Sequence, residues 1–154
     1  MLSELLQAVY DSGLASHLRG SRWSYPLVNT GHIVGIALLF GAIVPLDLRL
    51  VGLWRQVPIV ALSRVLLPVA LAGLVLAVAT GALLFSVRAT EYAQVPLFSV
   101  KLAVVAVAIA NAVLLARLAP LATQPPRRLR VIGATSIALW LAAILCGRMI
   151  GYLM

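Results

Sequence analysis

Four long apolar runs leave this chain few ways to fold. They cover residues 25–46, 65–87, 98–118 and 131–153. The hydrocarbon core of a bilayer is about 30 Å thick and takes about 20 helical residues to cross. Within it every backbone N–H and C=O must be bonded inside the segment, which favours helices. The runs therefore predict four membrane-spanning helices, and the short connections between them predict an up-down bundle.

The composition supports the same conclusion. Of the 154 residues, 63% are hydrophobic and 10% are charged, whereas a soluble domain has about 25% charged residues. We therefore predict an all-α integral membrane protein with a single domain, residues 1–154, whose surface is covered by the lipid bilayer. The net charge of +8 does not indicate nucleic-acid binding, because the cations lie at the ends of the apolar runs.

The segment before the first run predicts a helix on the membrane surface. Residues 2–18 read LSELLQAVYDSGLASHL and place their leucines near one helical face. The segment includes Glu4 and Asp11 but has no basic start and no small-residue cleavage site, so it does not resemble a signal peptide. We expect a short amphipathic interfacial helix that stays attached to the chain.

The distribution of cations predicts the orientation. The first and third loops hold seven cations, and the opposite side holds five. The seven are Arg49, Arg55, Arg64, Arg117, Arg127, Arg128 and Arg130. We therefore expect these two loops in the cytoplasm and both termini on the outer side.

Polar side chains inside the predicted spans are costly and mark where function is to be sought. From the rise of about 1.5 Å per residue, five of them fall in one outer layer: His32, Thr80, Lys101, Cys146 and Arg148. We expect His32, Thr80 and Arg148 to face the interior of the bundle. Three further side chains fall deeper: Asn111, Ser136 and Trp140. We expect interior packing from Trp140 and an interhelical hydrogen bond from Asn111.

Two interpretations of His32 are open. Asn29 lies one turn earlier on the same face and could hydrogen-bond one ring nitrogen. Gly31 and Gly35 flank the histidine in a G-x-x-x-G pattern, which allows close approach of another surface. That surface could be another helix, with His32 as a hydrogen-bonding residue. It could also be haem b, with His32 as the axial ligand of the iron and Asn29 beside it.

The other charged residues of the spans also allow two interpretations. Lys101 and Arg148 could extend toward the headgroups without a chemical role, or they could bind haem propionates. Asp47 and Arg49, in the sequence DLRL, predict a structural pair at the end of the first span. No hydrolase triad, phosphate loop or cluster of metal ligands occurs in the sequence, so we expect no enzyme activity from the chain on its own. Proton-coupled transport lacks its usual acidic relay.

The sequence SRWSYPLVNTGHIVGIALLFGAIVPLDLRLVG resembles the first-helix signature of a bacterial inner-membrane family of unknown function. The pattern combines W-x-Y-P, H-x-x-G and D-L-R-L-x-G. TGALLF, FSVKL followed by AN, and SIALWLAAILCGRMIGY are similar to later signatures of this family. Relatives place a histidine after the helix-three asparagine, where this chain has Ala116 and Arg117. A bis-histidine site across those two helices is therefore absent.

The resemblance implies four helices and a location in the bacterial inner membrane, with both termini periplasmic on the charge distribution above. The family is loosely similar to copper-resistance-D-type and haem b membrane proteins. We therefore expect a small subunit of an electron-transfer assembly that carries haem b on His32. The alternative is a non-catalytic interaction subunit of a larger membrane complex, and the third hypothesis is a transporter or permeation subunit. Other membrane subunits or further copies of the chain are the expected partners.

Overall fold

In the computed structural model, which describes residues 1–117 and 124–153, the chain is all-α. The helices are α1 (Leu2–Tyr10), α2 (Gly13–Gly20), α3 (Ser24–Val51), α4 (Ile59–Val87), α5 (Ala89–Gln94), α6 (Pro96–Arg117) and α7 (Pro126–Leu153). Four of them, α3, α4, α6 and α7, are long and apolar enough to cross a membrane. The predicted all-α fold class with four spans is confirmed, and the chain is a multi-pass membrane protein.

The spanning helices extend beyond the apolar runs. α4 begins at Ile59 rather than at residue 65, and its first turns include Arg64. α7 begins at Pro126 rather than at residue 131. Lipid requires only an apolar middle, so a helix can continue through the headgroup layer with solvated charges on it. Proline is tolerated at the first position of α6 and α7 because that N–H has no helical partner. The predicted end of the third span, Leu118, lies outside the described residues.

α3 ends at a glycine that the backbone conformation requires. Gly52 has a φ of 122°, a region that side chains disfavour. The N–H groups of Gly52 and Leu53 both donate to the carbonyl of Leu48, at 3.1 and 3.0 Å. These bonds satisfy a carbonyl that the last turn would otherwise leave without a partner. These bonds end α3 at Val51, four residues after Asp47.

The predicted interfacial helix over residues 2–18 is two helices, α1 and α2. Ser12 interrupts it, because its hydroxyl accepts a hydrogen bond from the N–H of Ala15 at 3.3 Å and caps α2. α1 packs against α5. The prediction of a single helix was therefore wrong at this point. It arose because the amphipathic pattern continues across the break.

The chain forms two compact units, and α3 and α4 contribute to both. The first consists of Met1–Leu39 and Leu71–Pro96, and the second of Phe40–Ala70 and Leu97–Met154. In the second unit an apolar cluster of Leu50, Leu115 and Ile132 is packed by Ile59 and Leu129. The amide of Asn111 donates to the carbonyl of Ile132 at 3.2 Å in the same unit. This bond joins α6 to α7, which confirms the predicted interhelical contact of Asn111.

Candidate functional site

The site around His32 is built on a close contact between two helix backbones in the first unit. A Cβ atom added to Gly35 of α3 would lie 2.6 Å from the backbone nitrogen of Ala77 on α4. One added to Gly73 would lie 2.5 Å from the backbone nitrogen of Leu39. Real side chains cannot occupy such positions, so both glycines are needed for the helices to touch. Ascending residue numbers on α3 meet descending numbers on α4, as an antiparallel pair requires.

His32 lies about one turn before Gly35 and therefore faces α4. Its Nδ1 atom is 2.8 Å from the carbonyl oxygen of Ala77 and 3.2 Å from Oγ1 of Thr80. The imidazole fills the space beside Gly81, since an added Cβ there would lie 3.0 Å from Cε1 of the ring. A histidine, a threonine, a backbone carbonyl and a glycine thus form a compact polar contact between α3 and α4.

The partners of Nδ1 determine the tautomer of His32. A backbone carbonyl can only accept, so Nδ1 carries the proton and donates to Ala77. The hydroxyl of Thr80 donates to the carbonyl of Leu76, one turn back in its own helix. Oγ1 of Thr80 therefore accepts a second, weaker hydrogen bond from Nδ1–H of His32 and does not donate one to the ring. In the neutral ring this arrangement places the lone pair on Nε2.

The predicted site residues in this unit have different roles from those expected. His32 and Thr80 are in contact, which confirms that these two groups of the outer layer converge. The Nδ1 partners of His32 lie on α4, however, and Asn29 has an exposed side chain. The sequence placed Asn29 on the correct helical face but could not identify a backbone carbonyl as the acceptor.

Lys101 and Arg148 belong to the second unit. Lys101 is half-buried, and its Nζ atom lies 3.4 Å from the position that a Cβ of Gly147 would take. The small size of residue 147 therefore makes room for the ammonium group. Arg148 has an exposed side chain, so the prediction that it faces the interior was wrong. Snorkelling at the end of α7 accounts for its position.

Comparisons with known proteins give no relative of this chain. No family model, curated protein or solved structure matches it. Its function is therefore inferred from its own residues.

The second unit contains a buried polar cluster of residues that the sequence analysis had considered separately. Asp47 of α3 is 1% exposed, and Ser136 of α7 is buried beside it, with its hydroxyl positioned to interact with the Asp47 carboxyl group. An added Cβ on Gly133, one turn before Ser136, would lie 2.8 Å from the backbone oxygen of Asp47. Trp140, one turn after Ser136, is also buried. Asp47 thus lies against the face of α7 that carries positions 133 and 136.

Two polar atoms of this cluster have no hydrogen-bond partner among the described residues. They are Oδ2 of Asp47 and Nε1 of Trp140. The first atom is a hydrogen-bond acceptor and the second is a donor.

The expected pair of Asp47 and Arg49 does not form. Arg49 instead donates to two carbonyls of the following loop, Val57 at 2.7 Å and Arg55 at 3.1 Å. These bonds hold the loop against the end of α3 and leave Asp47 to contact α7. A sequence signal for this was present, because Ser136 and Trp140 are spaced i and i+4 on one face. Within the described residues, no three His, Cys, Asp or Glu side chains form a metal site.

Proposed function

We propose that this chain is a small, non-catalytic subunit of a larger assembly in the bacterial inner membrane, with both termini in the periplasm. The observation that carries the proposal is that His32 is engaged in a contact between two helices. Its Nδ1–H bonds a carbonyl of the neighbouring helix, and its ring fills the space beside Gly81. The bonds are those of a residue that holds two helices together. Asn111 makes a similar bond between α6 and α7.

The exposed surface of α6 supports an assembly. Only 6% of the apolar 18-residue stretch of α6 is buried within the chain, against 39% of the corresponding stretch of α3. Ala103, Ala106 and Ala110 are exposed and fall on one face of α6. Lipid does not require small residues, whereas a second helix needs them for close approach. This face is therefore suited to a helix of another subunit or of a second copy.

Purification of the tagged chain from its native membrane in mild detergent tests this proposal. We expect a complex larger than one chain with its micelle. Replacing Ala106 and Ala110 by leucine separates the backbones and should release the chain as a monomer, as measured by size-exclusion chromatography with light scattering. The matched control is Ala72→Leu with Ala79→Leu, which makes the same change at two exposed positions of α4.

The control variant should keep the complex intact. A wild-type chain that elutes as a monomer, with no partner in the fraction, contradicts the proposal. If both double variants dissociate to the same extent, the assembly does not use the α6 face.

Carriage of haem b within an electron-transfer assembly is a second candidate, supported by the tautomer of His32. Histidines that bind metals usually donate the other ring N–H to a carbonyl or carboxylate, as Nδ1 does here to Ala77. Haem b, if bound, would take His32 as axial ligand and would supply reversible one-electron chemistry at its iron. Asn29, Lys101 and Arg148 make no contact that favours this candidate: Asn29 and Arg148 are exposed, and Lys101 lies beside Gly147.

Visible absorption of the purified chain, expressed with ample haem, tests the second candidate. We expect a Soret band that His32→Ala abolishes completely and that His17→Ala leaves unchanged, because His17 is exposed on α2. Far-ultraviolet circular dichroism should show that both variants keep their helices. A wild-type protein without Soret absorbance excludes haem carriage and leaves the subunit proposal standing.

A further inference from the structure

An interfacial cavity lies in the first unit, where α2 and the start of α3 meet the ends of α4 and α5. Its volume is about 570 Å³, within the range of about 300–1,000 Å³ that is usual for small-molecule sites. Tyr10, Leu18, Arg19, Arg22, Val87 and Arg88 are among its lining residues. Because α3 begins and α4 ends at this cavity, its depth matches that of the lipid headgroups.

The lining of the interfacial cavity is strongly positive. It contains the guanidinium groups of Arg19, Arg22 and Arg88 but a single carboxylate, that of Glu91. Arg88 is paired with Glu91, at 3.2 Å between Nε and Oε2. Two positive charges, those of Arg19 and Arg22, are therefore not balanced within the lining. An anion that entered the cavity would neutralise them.

Arg19 is held in place before any ligand arrives. Its Cζ atom lies 3.9 Å from the centre of the Tyr10 ring, and Nη1 donates to the carbonyl of Val87 at 3.4 Å. Stacking occupies the flat face of the guanidinium, whereas its hydrogen-bond donors point outward from the edge. The bond to Val87 uses one of five N–H donors. The guanidinium group is held in a fixed orientation, and its remaining donors can bind the oxygens of a phosphate group in a bidentate manner.

A second basic cavity, of about 340 Å³, differs in that most of its arginines are used in hydrogen bonds to a nearby loop. It lies in the second unit and is lined by Arg49, Arg55 and Arg130 among others. Arg49 donates to the carbonyls of Val57 and Arg55, and Arg55 donates to that of Gly52. Two of its three guanidinium groups therefore serve to order the loop after α3.

We infer that the interfacial cavity binds an anionic phosphate group, through Arg19 and Arg22, beside an apolar surface formed by Leu18, Pro26 and Val87. The phosphate could belong to a lipid headgroup or be free in solution, since both present the same oxygens to the arginines. The apolar lining next to the cations favours the lipid, whose glycerol and acyl carbons would cover it.

The test uses the full chain in neutral-detergent micelles that contain equal amounts of phosphatidylglycerol and phosphatidylcholine. Native mass spectrometry measures the ratio of the two lipids bound. We expect an excess of phosphatidylglycerol that falls about fivefold in Arg22→Gln, the change typical of one cation near a membrane surface. Arg19→Gln should lower the ratio as well. Arg22 is the more informative position, because its guanidinium lies 5.9 Å from the centre of the Trp23 ring, whereas Arg19 stacks at 3.9 Å on Tyr10 and also bonds Val87.

The matched control is Arg127→Gln with Arg128→Gln. Both residues are exposed at the start of α7 and line neither cavity. Their replacement removes two positive charges from the chain. This variant should keep the wild-type lipid ratio. A second arm adds inorganic phosphate. If phosphate leaves the preference intact, the ligand is a lipid headgroup, and if it abolishes the preference in the wild type, the site accepts the free anion. No preference in the wild type, or an equal loss in Arg22→Gln and the control, overturns the inference.

Discussion

Replacing Gly35 or Gly73 by alanine is expected to lower the free energy of unfolding by about 3 kcal/mol, the upper part of the range for overpacking. The added Cβ atoms would meet backbone nitrogens of the opposite helix at 2.6 and 2.5 Å. A backbone atom in a helix cannot rotate away as a side chain can. The contact can be relieved only by moving α3 and α4 apart, which also stretches the bond from His32 to Ala77.

Two other glycines of the same helices provide graded controls. In the part of the chain that the structure describes, no atom lies within 4 Å of a Cβ added to Gly41 of α3, so Gly41→Ala should be neutral or stabilising by up to about 1 kcal/mol. Gly81→Ala would meet the His32 ring at 3.0 Å. That ring can shift, so the cost should lie between those of Gly41 and Gly35.

Titration of the detergent-solubilised chain with sodium dodecyl sulfate, followed by near-ultraviolet circular dichroism, measures these differences. The order of stability should be Gly41→Ala, then Gly81→Ala, then the two close-contact variants. If Gly35→Ala and Gly73→Ala unfold at the same detergent concentration as Gly41→Ala, the backbone contact between α3 and α4 is not present in the protein.

The architecture was predictable because lipid imposes a simple rule on the backbone. A run such as 65–87 must be helical to bond its own N–H and C=O groups. The ends were less predictable, because no such rule acts in the headgroup layer, and α4 begins at Ile59. The break before α2 depends on one hydroxyl, that of Ser12. The sequence Asp-Ser-Gly at 11–13 was a turn signal, but the leucine periodicity on either side masked it.

The candidate sites were predictable only in part, for two physical reasons. The acceptor for His32 is the backbone carbonyl of Ala77, and a sequence does not reveal which carbonyls a neighbouring helix will present. Asp47 was assigned to a helix end because Arg49 follows two residues later. The guanidinium instead bonds the carbonyls of Arg55 and Val57, which become available only when the loop folds back. In both cases a backbone acceptor replaced the expected side-chain partner.

Ser136→Ala is expected to lower the free energy of unfolding by about 2 kcal/mol, because it removes the hydrogen bond that the Ser136 hydroxyl can give to a carboxyl group that is 1% exposed. Among the described residues, Oδ2 of Asp47 already has no hydrogen-bond partner, so the variant would add to the polar surface that is buried without one. Thr135→Ala is the matched control, since Thr135 is the exposed neighbour of Ser136 on α7. It should change the stability by less than about 0.5 kcal/mol.

A double variant separates the loss of this bond from simple loss of packing. With Asp47→Leu added to Ser136→Ala, neither polar group remains, and an apolar side chain of similar size fills the space. Replacing both partners of a buried polar pair by apolar groups can be nearly neutral. The double variant should therefore recover most of the stability lost in Ser136→Ala, as measured by the same detergent titration. If Ser136→Ala matches Thr135→Ala, or if Asp47→Leu adds a further loss, the carboxyl does not depend on Ser136. The expected recovery corresponds to a coupling of about 2 kcal/mol between the two sites, which would identify their interaction as a polar link from α3 to α7.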